Sequence, residues 1–201
     1  MSFITSYCRI SHDRCTVNGE MVASRKFTED TWLRELYKET GLSYPKFYKM
    51  DQLAQAGFLA FEALRKVNPD LSSYRDDAVA MVFANSHSSA DTDQRFQKTY
   101  QENTAPSPAL FVYTLPNIVL GEIAILNKWY GENMFAVLPN FAADFFVNYG
   151  NILLSGNTEA VLGGWLDILD DKIEIFLFFV ETKAGTGIDF TAKNLACIAG
   201  I

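Results

Sequence analysis

The order of apolar and polar positions divides this chain into alternating strands and helices. Phe3 to Ile10 reads as a first strand, and Val17-Asn18-Gly19-Glu20 is a hairpin turn signal. Thr28-Glu29-Asp30 predicts the cap of a short helix that runs through Glu39 and stops at Gly41. A second helix is expected from about Lys49 to Val67, because Leu53, Ala56, Ala60, Ala63, Leu64 and Val67 recur near helical spacing. Asn68-Pro69-Asp70 ends it. The unbroken apolar run Ala78 to Asn85 has strand length and suits a strand buried on both faces.

The polar stretch that follows has a helix expected in its middle. Ala109 to Asn127 is largely apolar, and its pattern predicts one helix kinked near Pro116, serving as core or as subunit interface. Next, GENMFAVLPNFAADFF carries a short strand, MFAVL, through Pro-Asn into a helix expected from about Asn140 to Leu154. A strand that turns sharply into a helix N-terminus is a common place for a reactive site, since backbone N–H groups converge there. Yet this turn holds no Cys, Ser, Thr or His. Ala160 to Leu169 and Lys172 to Glu181 read as adjacent strands joined by a tight turn at Asp170-Asp171. Residues from about 182 to 201 are expected to be an irregular tail. The sum is one layered α/β domain over 1–201, with a mixed sheet.

Composition narrows the function classes. A hydrophobic fraction of 49% in 201 residues fills a sizeable core, and disorder is not expected. The formal net charge of −7 argues against nucleic acid and against anionic lipid as partners. The start of the chain has no secretory pattern, and the most apolar run, Ile173 to Val180, is too short for a bilayer and contains Glu174. A cytoplasmic location is expected. Cys8, Cys15 and Cys197 lack ligand spacing, neither His12 nor His87 completes a zinc pattern, and free thiols are the reading; no metal or cofactor is expected.

Other candidate chemistry is weak. Asp144, in the first turn after the elbow, complements the helix dipole. Ser11-His12-Asp13 is a tempting triplet, but a working triad depends on geometry and not on adjacency. His87 among serines reads as a polar loop after a buried strand, and AGTGID lacks the setting of a phosphate loop. Phe141, Phe145, Phe146 and Tyr149 form a helical stripe that reads as core or interface ahead of ligand contact.

Several of these motifs resemble those of the β-ketoacyl synthases of the thiolase-like superfamily, in their N-terminal half. Leu115-Pro116-Asn117 keeps the family's Leu-Pro-Asn motif, and Tyr130-Gly131-Glu132-Asn133 keeps the Gly and Asn of its Lys-Gly-Pro-Asn turn. EAVLGGWLDIL is similar to the strand with Ala-Gly-Gly after the nucleophile helix, and Lys49-Met50-Asp51 to the start of the Met-Asp helix. The resemblance covers roughly Pro45 to Leu169. It implies a layered thiolase-like half-fold with a mixed sheet, helices on both faces and a C-terminal strand hairpin.

In the family the elbow carries a Thr-Ala-Cys triplet whose Cys holds the acyl group. Placed on that strand, Pro139, Asn140 and Phe141 take the triplet, so Phe141 stands at the nucleophile position. The family's two catalytic His lie in its C-terminal half, and His87 matches neither. The resemblance therefore implies no catalytic residue here. The expected function is a non-catalytic scaffold or regulator in fatty-acid or polyketide-type biosynthesis, as a homodimer or with a full-length ketosynthase, and with acyl carrier protein as a further partner. The alternative is an acyl-binding module or small enzyme that uses other residues on the same half-fold.

Overall fold

The computed structural model of the chain describes residues 1–102, 105–170, 172–182 and 185–200. Strand β1 (Phe3–Ile10) buries every second side chain, as its alternating pattern requires. It pairs antiparallel with β2 (Arg14–Val17), which pairs with β3 (Glu20–Ser24) across Asn18-Gly19. Both turn residues take positive φ, 52° and 86°, the conformation that an Asn-Gly hairpin turn supplies at least cost.

Helix α1 (Trp32–Thr40) starts later than its Thr-Glu-Asp signal suggests. Thr28 does not cap it. Its N–H and hydroxyl donate instead to Glu35, both at 2.6 Å, and Lys26 N–H donates to the other Glu35 oxygen at 2.9 Å. The buried carboxylate thus folds the incoming loop back on the helix, and Thr31 takes the cap position. Gly41, with φ 69°, ends it. A 3₁₀ turn over Pro45–Lys49 shortens the next helix, so α2 spans Gln52–Val67. Asp51 caps it by accepting from Ala54 N–H at 2.9 Å.

Strand β4 (Val79–Asn85) is buried at every position. It lies between β5 (Asn133–Val137) and β6 (Ala160–Leu169), parallel to both, and β7 (Lys172–Glu181) returns antiparallel to β6. At the β6–β7 turn Asp170 adopts φ 53°, while Asp171 lies outside the described residues. The sheet order is β3-β2-β1-β7-β6-β4-β5, with β8 (Ile188–Asp189) paired to the start of β1. It is a mixed sheet.

Helices cover both faces. Val79, Met81 and Phe83 point to a core closed by α1, α2 and α5 (Ile118–Asn127). Ala80, Val82 and Ala84 point to a second core closed by α6 (Ala143–Leu154) and α7 (Ala192–Ala199). The polar stretch after β4 forms α3 (Ala90–Gln101).

Two expectations are corrected. The apolar segment after residue 108 is two helices, α4 (Pro108–Val112) and α5, and not one kinked helix. Pro116 has no N–H to donate and disfavours helical backbone at Leu115, so the chain leaves the helix between them. The tail is not irregular throughout. Thr191 Oγ1 accepts from Asn194 N–H at 3.3 Å to start α7, and Leu195 and Ala199, one turn apart, bury against the sheet. Of the AGTGID run, Ala184 lies outside the described residues; Gly187 packs its backbone against β1.

Candidate functional site

The parallel strands β6, β4 and β5 deliver two loops at their carboxyl ends, where open α/β sheets place ligands. One is the elbow. Leu138 N–H donates to Asn85 O at 2.8 Å, which keeps the chain on the sheet for one more residue. Pro139 and Asn140 then face solvent, and Phe141 turns inward. Its half-buried ring stacks on Phe146 (centroids 5.6 Å, 27°) and sets its edge to Trp165 (6.1 Å, 82°) and Phe176 (5.9 Å, 78°). Phe146 in turn meets Phe178 edge-on at 5.6 Å. Phe145 stacks on Tyr149 and packs at the border of the same core. The four-residue aromatic stripe is therefore part of the second core.

Glycines make room for this cluster. A Cβ at Gly163 would fall 2.2 Å from the Phe178 ring, and one at Gly164 2.5 Å from Leu177. Strand β6 thus needs both glycines to let β7's large side chains lie across it. Gly131 answers to a similar demand: its Cβ would sit 2.2 Å from the Val79 carbonyl oxygen, where the segment entering β5 passes β4. The helix that follows the elbow has no side-chain cap, because Ala142 holds the cap position. Asp144 is exposed in its first turn and complements the dipole there.

The second loop, after β4, brings His87 to a residue the sequence reading passed over. Asp167 Oδ1 accepts the N–H groups of Ser86 (3.1 Å) and His87 (3.2 Å), and Oδ2 accepts the Ser86 hydroxyl (2.8 Å). His87 Nδ1 is 2.8 Å from the same Oδ2 and 2.9 Å from Ser86 Oγ. In a nucleophilic triad the hydroxyl and the carboxylate engage opposite ring nitrogens. Here both crowd Nδ1, and the serine hydroxyl donates its hydrogen bond to the aspartate. The arrangement clasps the loop onto β6 and cannot activate Ser86. Asp167 is the one charged residue in the run AVLGGWLDIL, a signal that marked it for a partner without saying which.

The other candidates stay apart. Ser11 Oγ donates to Asp13 at 2.9 Å in the β1–β2 turn, Arg14 beside it holds the Asp13 carboxyl below its usual range, and His12 lies outside that contact at 3.7 Å. Cys8 and Cys15 are buried with sulfurs 3.9 Å apart, and Cys197 is exposed. Among the described residues no three His, Cys, Asp or Glu side chains gather as a metal site.

Two surface features stand out. β5 ends the sheet, so its outer edge has no strand partner among the described residues. Val137 on β5, Tyr130 just before it and Ile125 on α5, which packs against β5, are 57–76% exposed, and Phe111 and Leu115, earlier in the chain, are 62% and 57% exposed. Glu122 does not relieve this apolar character, because it is buried, paired with Lys46 at 2.6 Å and bonded by Tyr113 Oη at 3.2 Å. Burial and that carboxylate push the Tyr113 phenol well up from its ordinary value. Ile118, also on α5, packs on the first core instead. The other feature is a cleft of about 310 Å³ with Arg34, Lys49 and Arg95 around Tyr48 and Gln52. Asp51 sits at its floor, where burial raises its carboxyl above the ordinary range despite bonds from Ala54 N–H and Thr92 Oγ1. Among the described residues no helix is long and apolar enough to cross a membrane.

No family model and no curated protein matches the sequence. Solved structures do match its fold. A chain of the ketosynthase (ApeO) in complex with its chain length factor (ApeC) from Xenorhabdus doucetiae aligns over 99% of this chain and 90% of its own length, at 14% identity and TM-score 0.62. The ishigamide ketosynthase/chain length factor aligns over 92% of this chain and 63% of its own, at 16% identity and TM-score 0.66. A chain of AntDE:AntF, a type II PKS acyl-carrier protein in complex with its ketosynthase bound to the hexaketide, aligns over 90% and 62%, at 11% identity and TM-score 0.62. The chain thus spans just under two thirds of the length of the second and third, and nearly all of the first. What they share with this chain is fold, a mixed sheet with helices on both faces, like that of the chains in these ketosynthase and chain length factor structures.

Proposed function

We propose that this chain is a non-catalytic ketosynthase-like subunit that scaffolds or regulates an active ketosynthase in fatty-acid or polyketide-type biosynthesis. The observation that carries the reading is Phe141. A condensing site needs a thiolate at the elbow, stabilised by the helix N-terminus, with N–H groups aimed at the oxyanion. A phenyl ring can form no thioester, and this one packs on Phe146, Trp165 and Phe176, filling the space beside α6. The alternative, an acyl-binding module or an enzyme with its own residues, would need an open channel at that place or a competent nucleophile nearby. The Ser86–His87–Asp167 clasp does not supply one.

The partner surface follows from the sheet edge. A strand with one open edge and exposed apolar side chains on and beside it invites a second sheet. We place a full-length ketosynthase there, since chain length factor and ketosynthase occur together in the first of the similar structures. A homodimer through the same edge is the competing assembly. Arg34, Lys49 and Arg95 would offer an acyl carrier protein an electropositive contact on an otherwise acidic chain. The test is acyl transfer: after incubation with acylated carrier protein, the intact mass of the chain should be unchanged. A stable acyl adduct on any cysteine overturns the reading.

A further inference from the structure

We propose that Cys8 and Cys15 are a peroxide-oxidisable dithiol that closes into a disulfide, with Cys15 reacting first. The two sulfurs lie 3.9 Å apart on neighbouring strands, on the same face of the sheet. Their register is diagonal, since Cys8 opposes Val17 and Cys15 opposes Ile10. Bond formation needs an approach of about 2 Å to reach the usual S–S length. Slack for it is present: the β2–β3 pairing shifts register between Cys15 and Thr16, and β3 is an edge strand.

Access distinguishes the two thiols. Cys15 lines an apolar pocket of about 140 Å³ walled by Val17, Val22, Leu36 and Leu59, with Glu39 and Lys66 also lining it. That volume admits a small neutral oxidant such as hydrogen peroxide. Cys8 lies behind it, fully buried, and does not line the pocket. Its bond to Cys15, together with burial, pushes the Cys8 thiol up, so Cys8 keeps its proton, and access through the pocket makes Cys15 the thiol that meets the oxidant. In the first step Cys15 sulfur gives up its proton as it attacks one peroxide oxygen, the O–O bond breaks, the departing oxygen takes that proton and leaves as water, and Cys15 becomes a sulfenic acid. In the second, Cys8 sulfur attacks Cys15 sulfur and the S–O bond breaks. The departing hydroxide takes the Cys8 proton as water. One peroxide is reduced to two waters, and two thiols are oxidised to one disulfide.

The experiment uses the full chain carrying Cys197→Ser, which removes the exposed thiol. Hydrogen peroxide is added to the folded protein, which is then denatured in N-ethylmaleimide and weighed intact. The expected result is loss of two hydrogens and no maleimide adduct, with both adducts restored by prior dithiothreitol. Adding Cys8→Ser should stop the reaction at a Cys15 sulfenic acid that dimedone captures, whereas adding Cys15→Ser should leave Cys8 unreacted. A tryptic map of the oxidised wild-type chain provides a check that needs no core variant, because cleavage after Arg9 and Arg14 leaves peptides 1–9 and 15–25 joined only by this bond. Two maleimide adducts on peroxide-treated protein of unchanged circular dichroism would overturn the proposal, as would a 1–9/15–25 link that forms only after unfolding.

Discussion

Phe141 and Gly163 carry opposite kinds of packing constraint. Phe141 fills space, so Phe141→Cys should remove part of an aromatic cluster and cost about 2–3 kcal/mol, below the full price of a wholly buried ring. Urea denaturation measures it. The same variant should show no condensing activity, because neither histidine of the chain is placed to help: His12 is in the β1–β2 turn and His87 is held by Asp167. Gly163 does the reverse and leaves space. Gly163→Ala should cost about 1–3 kcal/mol by overpacking against Phe178. Combined with Phe178→Leu, which removes the ring that a Cβ at 163 would meet, the penalty should fall, giving a non-additive double-mutant cycle. Additive costs would show that the contact at 2.2 Å relaxes some other way.

At the scale of elements, Glu35 ties the loop before α1 to the helix. The Thr28 hydroxyl, with the Lys26 and Thr28 N–H groups, holds its carboxyl below the ordinary value. A depressed folded pKa means stability that is present above the unfolded value of about 4.3 and is lost as pH falls through the folded one. Glu35→Gln should flatten the stability-against-pH curve in that acid window and leave its slope above pH 6 unchanged; an identical acid slope in the variant would contradict the assignment. The α5–β5 edge makes a second, independent forecast. Ile125→Glu, on the exposed side of α5, should weaken assembly by light scattering without lowering the unfolding midpoint of the separated chain. Ile118 is the wrong position for that experiment, because it packs on the core and its substitution would act through stability.

Across the whole molecule, the fold was readable where local pattern and tertiary environment ask for the same residues. Val79–Asn85 is apolar at every position because helices close both faces of β4, and the run announced this directly. The Asn18-Gly19 turn and the β6–β7 hairpin were visible for the same reason. Where tertiary contacts decide, the sequence misled. Helix α7 has eight residues, too few for a periodic signal, and depends on Leu195 and Ala199 docking. Thr28 carried a capping signal yet serves Glu35. The Asp167 clasp joins residues 80 and 81 apart in sequence, beyond any local pattern. The elbow could be read as far as its lack of a nucleophile; the packing of Phe141 on Trp165 and Phe176 needed the fold.

The proposed role is a contribution to condensation made only beside an active ketosynthase. The measurement follows β-ketoacyl product from carrier-protein-bound substrates with the chain alone, with a type II ketosynthase alone, and with both. The expected result is no product from the chain alone, and product from the mixture whose amount or chain length differs from that of the ketosynthase alone. Product from the chain alone, or a mixture indistinguishable from the ketosynthase by itself, would contradict it.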